Sequence, residues 1–130
     1  MADDPHAEAA IALLKAHPDL VVFDDEVPAS PPSAYVRVYI GMRELEPDDP
    51  NFIPGEQSCW IYTYCVANTD AGARLIRSFV RAQLNGVKPV VAGKTCWPIY
   101  WEDGSPAGRD ESLGYPVISQ RDVWCFKSDD

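Results

Sequence analysis

Residues 59–86 read CWIYTYCVANTDAGARLIRSFVRAQLNG, and this stretch decides the fold. From Cys59 to Ala67 the odd positions are Cys59, Ile61, Thr63, Cys65 and Ala67, and the even ones are Trp60, Tyr62, Tyr64 and Val66. β-Branched and aromatic side chains of this kind suit a pleated surface. Both faces are substantially apolar, which predicts a central strand covered on both sides. The period then changes. Asn68 or Thr69 is placed to cap a helix and Asp70 falls in its first turn, at the positive end of the helix dipole. Leu75, Ile76, Phe79, Val80 and Leu84 recur at helical spacing and predict one buried stripe. Asn85-Gly86 supplies the stop.

Toward the N-terminus a first helix is expected. Asp4 is its N-cap, Pro5 its first residue, and Ala7, Ala10, Ile11 and Leu14 its apolar face; Pro18 ends it. Leu20 to Phe23 reads as an extended segment, followed by Asp24, Asp25 and Glu26 and a stiff Pro28–Pro32 connector (PASPP). Tyr35 to Ile40 (YVRVYI) alternates as a strand. Gly41 to Gln57 (GMRELEPDDPNFIPGEQ) is an acidic loop with three prolines, and loops of this length are usually functional. Toward the C-terminus, Thr95 to Trp101 (TCWPIYW) reads as a strand that Pro98 confines to an edge or a bulge. A polar loop from Glu102 to Gly114 precedes a last strand, Val117 to Phe126, and Lys127 to Asp130 reads as a frayed tail. The expectation is a single α+β domain over residues 1–130. It has one four-stranded, mostly antiparallel or mixed sheet, with two helices mainly on one face.

The chain has 130 residues, 46% of them hydrophobic, which suffices for one domain with a real core. Twenty acidic against 11 basic residues give a net charge of −9, which disfavours general nucleic-acid binding and adhesion to anionic membranes. Cys59, Cys65, Cys96 and Cys125 form no C-x-x-C and read as reduced, half-buried thiols. Met1 leads directly into Asp3 and Asp4, so no signal peptide is expected, and no apolar run approaches the roughly 20 residues of a bilayer span.

Residues that carry chemistry are sparse. His6 and His17 lie eleven positions apart on the first helix, too far apart for one metal site, and are expected to be solvated. Asp24, Asp25 and Glu26, like Glu44, Glu46, Asp48 and Asp49, offer oxygen ligands to a divalent cation but lack the spacing of a calcium loop. The eight glycines are scattered, so no phosphate cradle forms, and no G-x-S-x-G elbow occurs. Trp60, Trp97, Trp101 and Trp124 fall in predicted strands with few positive charges, which favours core and interface packing over base stacking. No catalytic, cofactor-binding or metal residue is nominated, and the chain is read as a non-enzyme. Arg74, Arg77 and Arg81 do stand out: they share one side of the second helix, away from Leu75, Phe79 and Val80. A molecule with a basic face and separate acidic faces can pair head to tail with its own copies and close into a ring.

The chain as a whole resembles the tail terminator proteins of long-tailed bacteriophages, especially those of actinobacterial phages. The resemblance runs through AIALLKAHPDL, the VVFDDEVP turn, AYVRVYIG, the quoted strand-to-helix segment and KPVVAGKTCWPIYWEDG. It implies a virion structural protein, assembled in the host cytoplasm and located in the tail at the head–tail junction. Its partners would be its own copies in a hexameric ring, the major tail tube protein, whose polymerisation the ring ends, and the head-to-tail connector. DNA would pass through without specific binding, and an acidic lumen would favour its sliding. On this reading Arg74, Arg77 and Arg81 lie at the subunit interface. Glu44, Glu46, Asp48, Asp49, Glu102 and Asp103 reach the tube or the connector. The rival readings are another connector or adaptor of the same junction, and a small metal-dependent enzyme using the acidic loops.

Overall fold

The computed structural model describes residues 4–43, 45–110 and 116–129. Helix α1 spans Pro5–Lys15 and helix α2 spans Asp70–Leu84. The strands are β1 (Val22–Asp24), β2 (Tyr35–Arg43), β3 (Gln57–Ala67), β4 (Thr95–Cys96), β5 (Tyr100–Gly104), β6 (Gly108–Asp110) and β7 (Val117–Asp129). They form one mixed sheet in the order β1-β2-β3-β7-β4, with β5 and β6 also pairing along β7. β1 runs parallel to β2; every other pair is antiparallel.

The α+β class and the two helices on one face are as expected, but the sheet has seven strands rather than four. The additional strands are two or three residues long, too short to show a period. The predicted Thr95–Trp101 strand is divided: β4 ends at Cys96, Pro98 interrupts, and β5 begins at Tyr100. In the gap the Ile99 amide donates to the Val87 carbonyl and the Gly86 amide donates to Ile99, tying this stretch to the exit of α2. The expected loop from Glu102 onward instead contains the end of β5 and all of β6; its residues 111–114 lie outside the described residues.

The expected frayed tail is also corrected. Lys127, Ser128 and Asp129 continue β7, with Ser128 opposite Gln57 and Lys127 opposite Ser58. Ser128 is buried because His6 reaches it: the His6 Nε2 and Ser128 Oγ lie 2.8 Å apart, and the imidazole stacks near Phe126. His6 is therefore a buried histidine and not a solvated one. His17 stacks on Phe79 at 4.3 Å between centroids. Both contacts dock α1, whose Asp4 cap accepts from the His6 amide as expected.

The core lies between the helices and one face of the sheet. Ala10 and Leu14 of α1 and Ile76, Val80 and Leu84 of α2 meet Val36, Val38, Cys59, Ile61, Cys65, Trp124 and Phe126. Thr69 caps α2 through the Gly72 amide, and Gly86 ends it with a positive φ of 76° that glycine adopts without strain. Leu75, assigned above to the buried stripe, is 53% exposed; Ala73 takes its place in the core. β3 is not covered on both sides: its odd residues are buried, whereas Trp60, Tyr62 and Tyr64 are only partly so.

Candidate functional site

Period-2 geometry sends alternate side chains of the central strands to the face away from the helices. On that face register brings Tyr35 opposite Val66, Arg37 opposite Tyr64, Tyr39 opposite Tyr62 and Gly41 opposite Trp60. On the other flank of β3, Tyr64 faces Arg121 and Tyr62 faces Val123. The Arg37 guanidinium carbon sits 4.8 Å from the centre of the Tyr39 ring, and Tyr39 meets Tyr64 edge-on at 5.7 Å. Arg37 Nε also donates to the Asp25 carbonyl at 2.9 Å. Arg37, Tyr39 and Tyr64 line a shallow groove of about 700 Å³ with Tyr35, Tyr62, Val66, Val117 and Ser119. The lining holds four tyrosines, one arginine and no carboxylate. The tyrosines of this face are only partly covered within the chain.

The opposite end of the same face carries a second groove, of about 450 Å³. Leu45, Asn51, Ile53 and Glu56 of the β2–β3 connection line it together with Trp60, Tyr100, Glu102 and Lys127. Three successive turns give that connection its shape, closed by Asp49 N–H to Glu46, Phe52 N–H to Asp49 and Glu56 N–H to Ile53. Asp49 Oδ1 accepts from the Asn51 amide at 2.8 Å. Glu46 and Asp48 point to solvent, and Ile53 is half exposed. Lys127 Nζ lies 3.6 Å from Glu56. Of the acidic residues nominated as loop contacts, Glu46, Asp48 and Asp49 sit in this connection. Glu102 and Asp103 sit on exposed β5, Asp103 being 3.9 Å from Arg121. Glu44 lies outside the described residues.

The arginine stripe divides. Arg74 and Arg81 are exposed. Arg77 forks onto Asp122, Nε to Oδ2 at 2.7 Å and Nη2 to Oδ1 at 3.0 Å. Asp122 is fully buried on β7, and Trp101 Nε1 donates to its Oδ1 at 2.9 Å. Three charge-assisted bonds thus satisfy a carboxylate that water does not reach. The Arg77 bonds to the Asp122 carboxylate raise the Arg77 pKa above its ordinary value. Beneath the cluster Trp124 Nε1 donates to Thr63 Oγ1 at 3.1 Å. Gly104 makes the approach possible: a Cβ there would lie 2.7 Å from Asp122 Oδ1 and 3.0 Å from Trp101. The spacing of Arg77 announces a basic stripe in sequence, but nothing local distinguishes it from Arg74 and Arg81. Its partner is 45 residues away.

All four cysteines are free and buried. Burial pushes the thiols of Cys59 and Cys65 up to about 12, so they stay protonated at neutral pH. Asp24, Asp25 and Glu26 line a polar recess with Asp4 and Tyr39. Among the described residues no group of three or more His, Cys, Asp or Glu is placed to hold a metal ion. No described helix is long and apolar enough to cross a membrane.

The architecture is that of a small α+β domain whose sheet carries two helices on one face and leaves the tyrosines of the other partly open. The same fold occurs in a chain of the virion of a native gene transfer agent particle, with a TM-score of 0.71 over 95% of this chain and 93% of that one, at 17% identity. A second solved chain matches with a TM-score of 0.65 over 100% of this chain and 97% of its own, at 14% identity. No protein-family model and no curated protein matches the sequence.

Proposed function

We propose that the protein is a structural component of a phage-type virion, acting as a tail terminator: a ring of six copies that caps the tail tube, ends its polymerisation and joins it to the head connector. The observation that carries this reading is the near-full-length fold shared with a chain of a gene transfer agent virion. The half-open tyrosine face supports it, since aromatic side chains supply the anchors of most protein interfaces. So does the mixed charge pattern. Exposed Arg74 and Arg81 offer planar forks to carboxylates of a neighbouring molecule, while Glu46, Asp48, Asp49, Glu102 and Asp103 offer carboxylates to the tube or the connector. Glu44 and Arg77 complete the two sets in sequence, although Arg77 is engaged by Asp122. Copies that each carry −9 would repel DNA from the lumen wall and let it slide. The role is assembly and not catalysis.

Native mass spectrometry and negative-stain imaging of the protein mixed with tube subunits test the proposal. A six-membered ring seated on the end of a tube is the expected result; monomers alone would refute it. Cryo-microscopy of the intact particle separates a terminator from an adaptor of the same junction, because the terminator contacts the last ring of tube subunits.

A further inference from the structure

We infer that the tyrosine groove receives the acidic, proline-bearing connection 45–56 of a second copy, head to tail. This rests on the ring reading above and names its subunit contact; it moves Glu46, Asp48 and Asp49 from the tube or connector to the neighbouring copy and leaves Glu102 and Asp103 for the former. The groove is aromatic with Arg37 as its one charge, and the connection has the complementary chemistry. It presents Glu46, Pro47, Asp48, Pro50 and Pro54 to solvent. Prolines dock on aromatic-lined grooves because their restricted backbone loses little entropy on binding. Carboxylates on the same segment match Arg37 in the groove's lining.

The three successive turns hold the connection in shape before it meets a partner, which lowers the ordering cost of binding. Within one chain the connection packs at the other end of the face, beside Tyr100 and Glu102, and not among the residues that line the groove. β2 carries Tyr35 at one end and Arg43 at the other, and those eight steps span roughly 26 Å. The connection starts beyond Arg43 and packs beside Tyr100 and Glu102, at the far end of the face from Tyr35. One surface of each copy therefore meets a different surface of the next, the heterologous contact that closes into a ring when the rotation allows.

Two variants test this. Arg37→Glu with Tyr64→Ser removes the groove and keeps the connection; Glu46→Lys with Asp48→Lys does the reverse. Tyr39→Ser with Tyr64→Ser, which leaves the Arg37 bond to Asp25 in place, substitutes for the first if circular dichroism shows it unfolded. Each variant alone should lose self-association by at least about 30-fold, the effect of removing an interface anchor. An equimolar mixture should form a heterodimer and no ring, because one functional groove meets one functional connection. Rings formed by either variant alone would overturn the inference and leave the ring reading standing. Loss of association without a heterodimer in the mixture would also overturn it. A wild-type chain that stays monomeric with tube subunits, and variants that do not pair, would remove both.

Discussion

Asp122 shows how much one residue can depend on its partners. A carboxylate at 0% exposure is tolerated because Arg77 and Trp101 supply its bonds. Arg77→Ala leaves that charge buried and short of two of them. Removal of one member of a buried pair costs 3–5 kcal/mol, and the 32% exposure of the Arg77 side chain places the loss at the low end, about 3 kcal/mol. Arg74→Ala, on the exposed side of the same helix, should change stability by no more than about 0.5 kcal/mol. Urea denaturation of the two variants measures the contrast. Gly104→Ala presses a methyl group against Asp122 Oδ1 and should cost roughly 1–3 kcal/mol without removing any charge. The buried thiols make a separate prediction. Cys59 and Cys65 ionise near 12 in the folded chain against 9.0 ordinarily. Above pH 9 the unfolded state therefore loses protons that the folded state keeps, and stability falls as pH rises toward 12. The contribution is complete below pH 9 and is lost by roughly 3 kcal/mol per thiol near pH 11. Denaturation from pH 7 to 11 should show this decline, and it should be shallower in a Cys59→Ala, Cys65→Ala variant.

At the scale of elements, α2 is set by its ends and β3 by its alternation, and both were legible. Thr69 caps the helix and Gly86 closes it, as their residue types suggest. Thr69→Ala should cost about 1 kcal/mol and Gly86→Ala about 1–2 kcal/mol, the latter because its φ is positive; thermal melts would read both. Other features were not legible, for physical reasons. β1 and β6 are three residues each, too short for a period to appear, and exist because β2 and β7 offer edges to pair with. Lys127–Asp129 looked like a tail because its charges mark solvent, yet β3 starts at Gln57 and requires a partner there. His6 looked solvated because a single helical histidine carries no sign of the Ser128 hydroxyl that faces it from the other end of the chain. Tyr62 and Tyr64 read as buried because apolar strands on both faces usually are. Their half-open state follows from both helices packing on the other side.

At the scale of the whole molecule, the net charge of −9 decides the sign of the salt response. A domain of this size has a radius near 18 Å, so neighbouring copies sit about 35 Å between centres. Two charges of −9 at that distance repel by about 10 kcal/mol in unscreened water. Screening reduces this to about 3 kcal/mol at 0.01 M salt, where the Debye length is 30 Å, and to about 0.1 kcal/mol at 0.15 M, where it is 8 Å. Exposed Arg–carboxylate pairs at the subunit boundary contribute ~0–1 kcal/mol each and weaken over the same range. The repulsion is the larger quantity, so self-association should strengthen by about two orders of magnitude per contact between 0.01 and 0.15 M salt and then level off. Sedimentation velocity across that range measures it. An Arg74→Glu, Arg81→Glu variant lowers the charge to −13 and doubles the repulsion, since 13² is about twice 9². Its monomer should keep wild-type stability while its assembly requires more salt. Association that instead weakens steadily from 0.01 M salt upward would mean that local ion pairs, with the Arg74–Arg81 side foremost, govern the contact rather than the net charge.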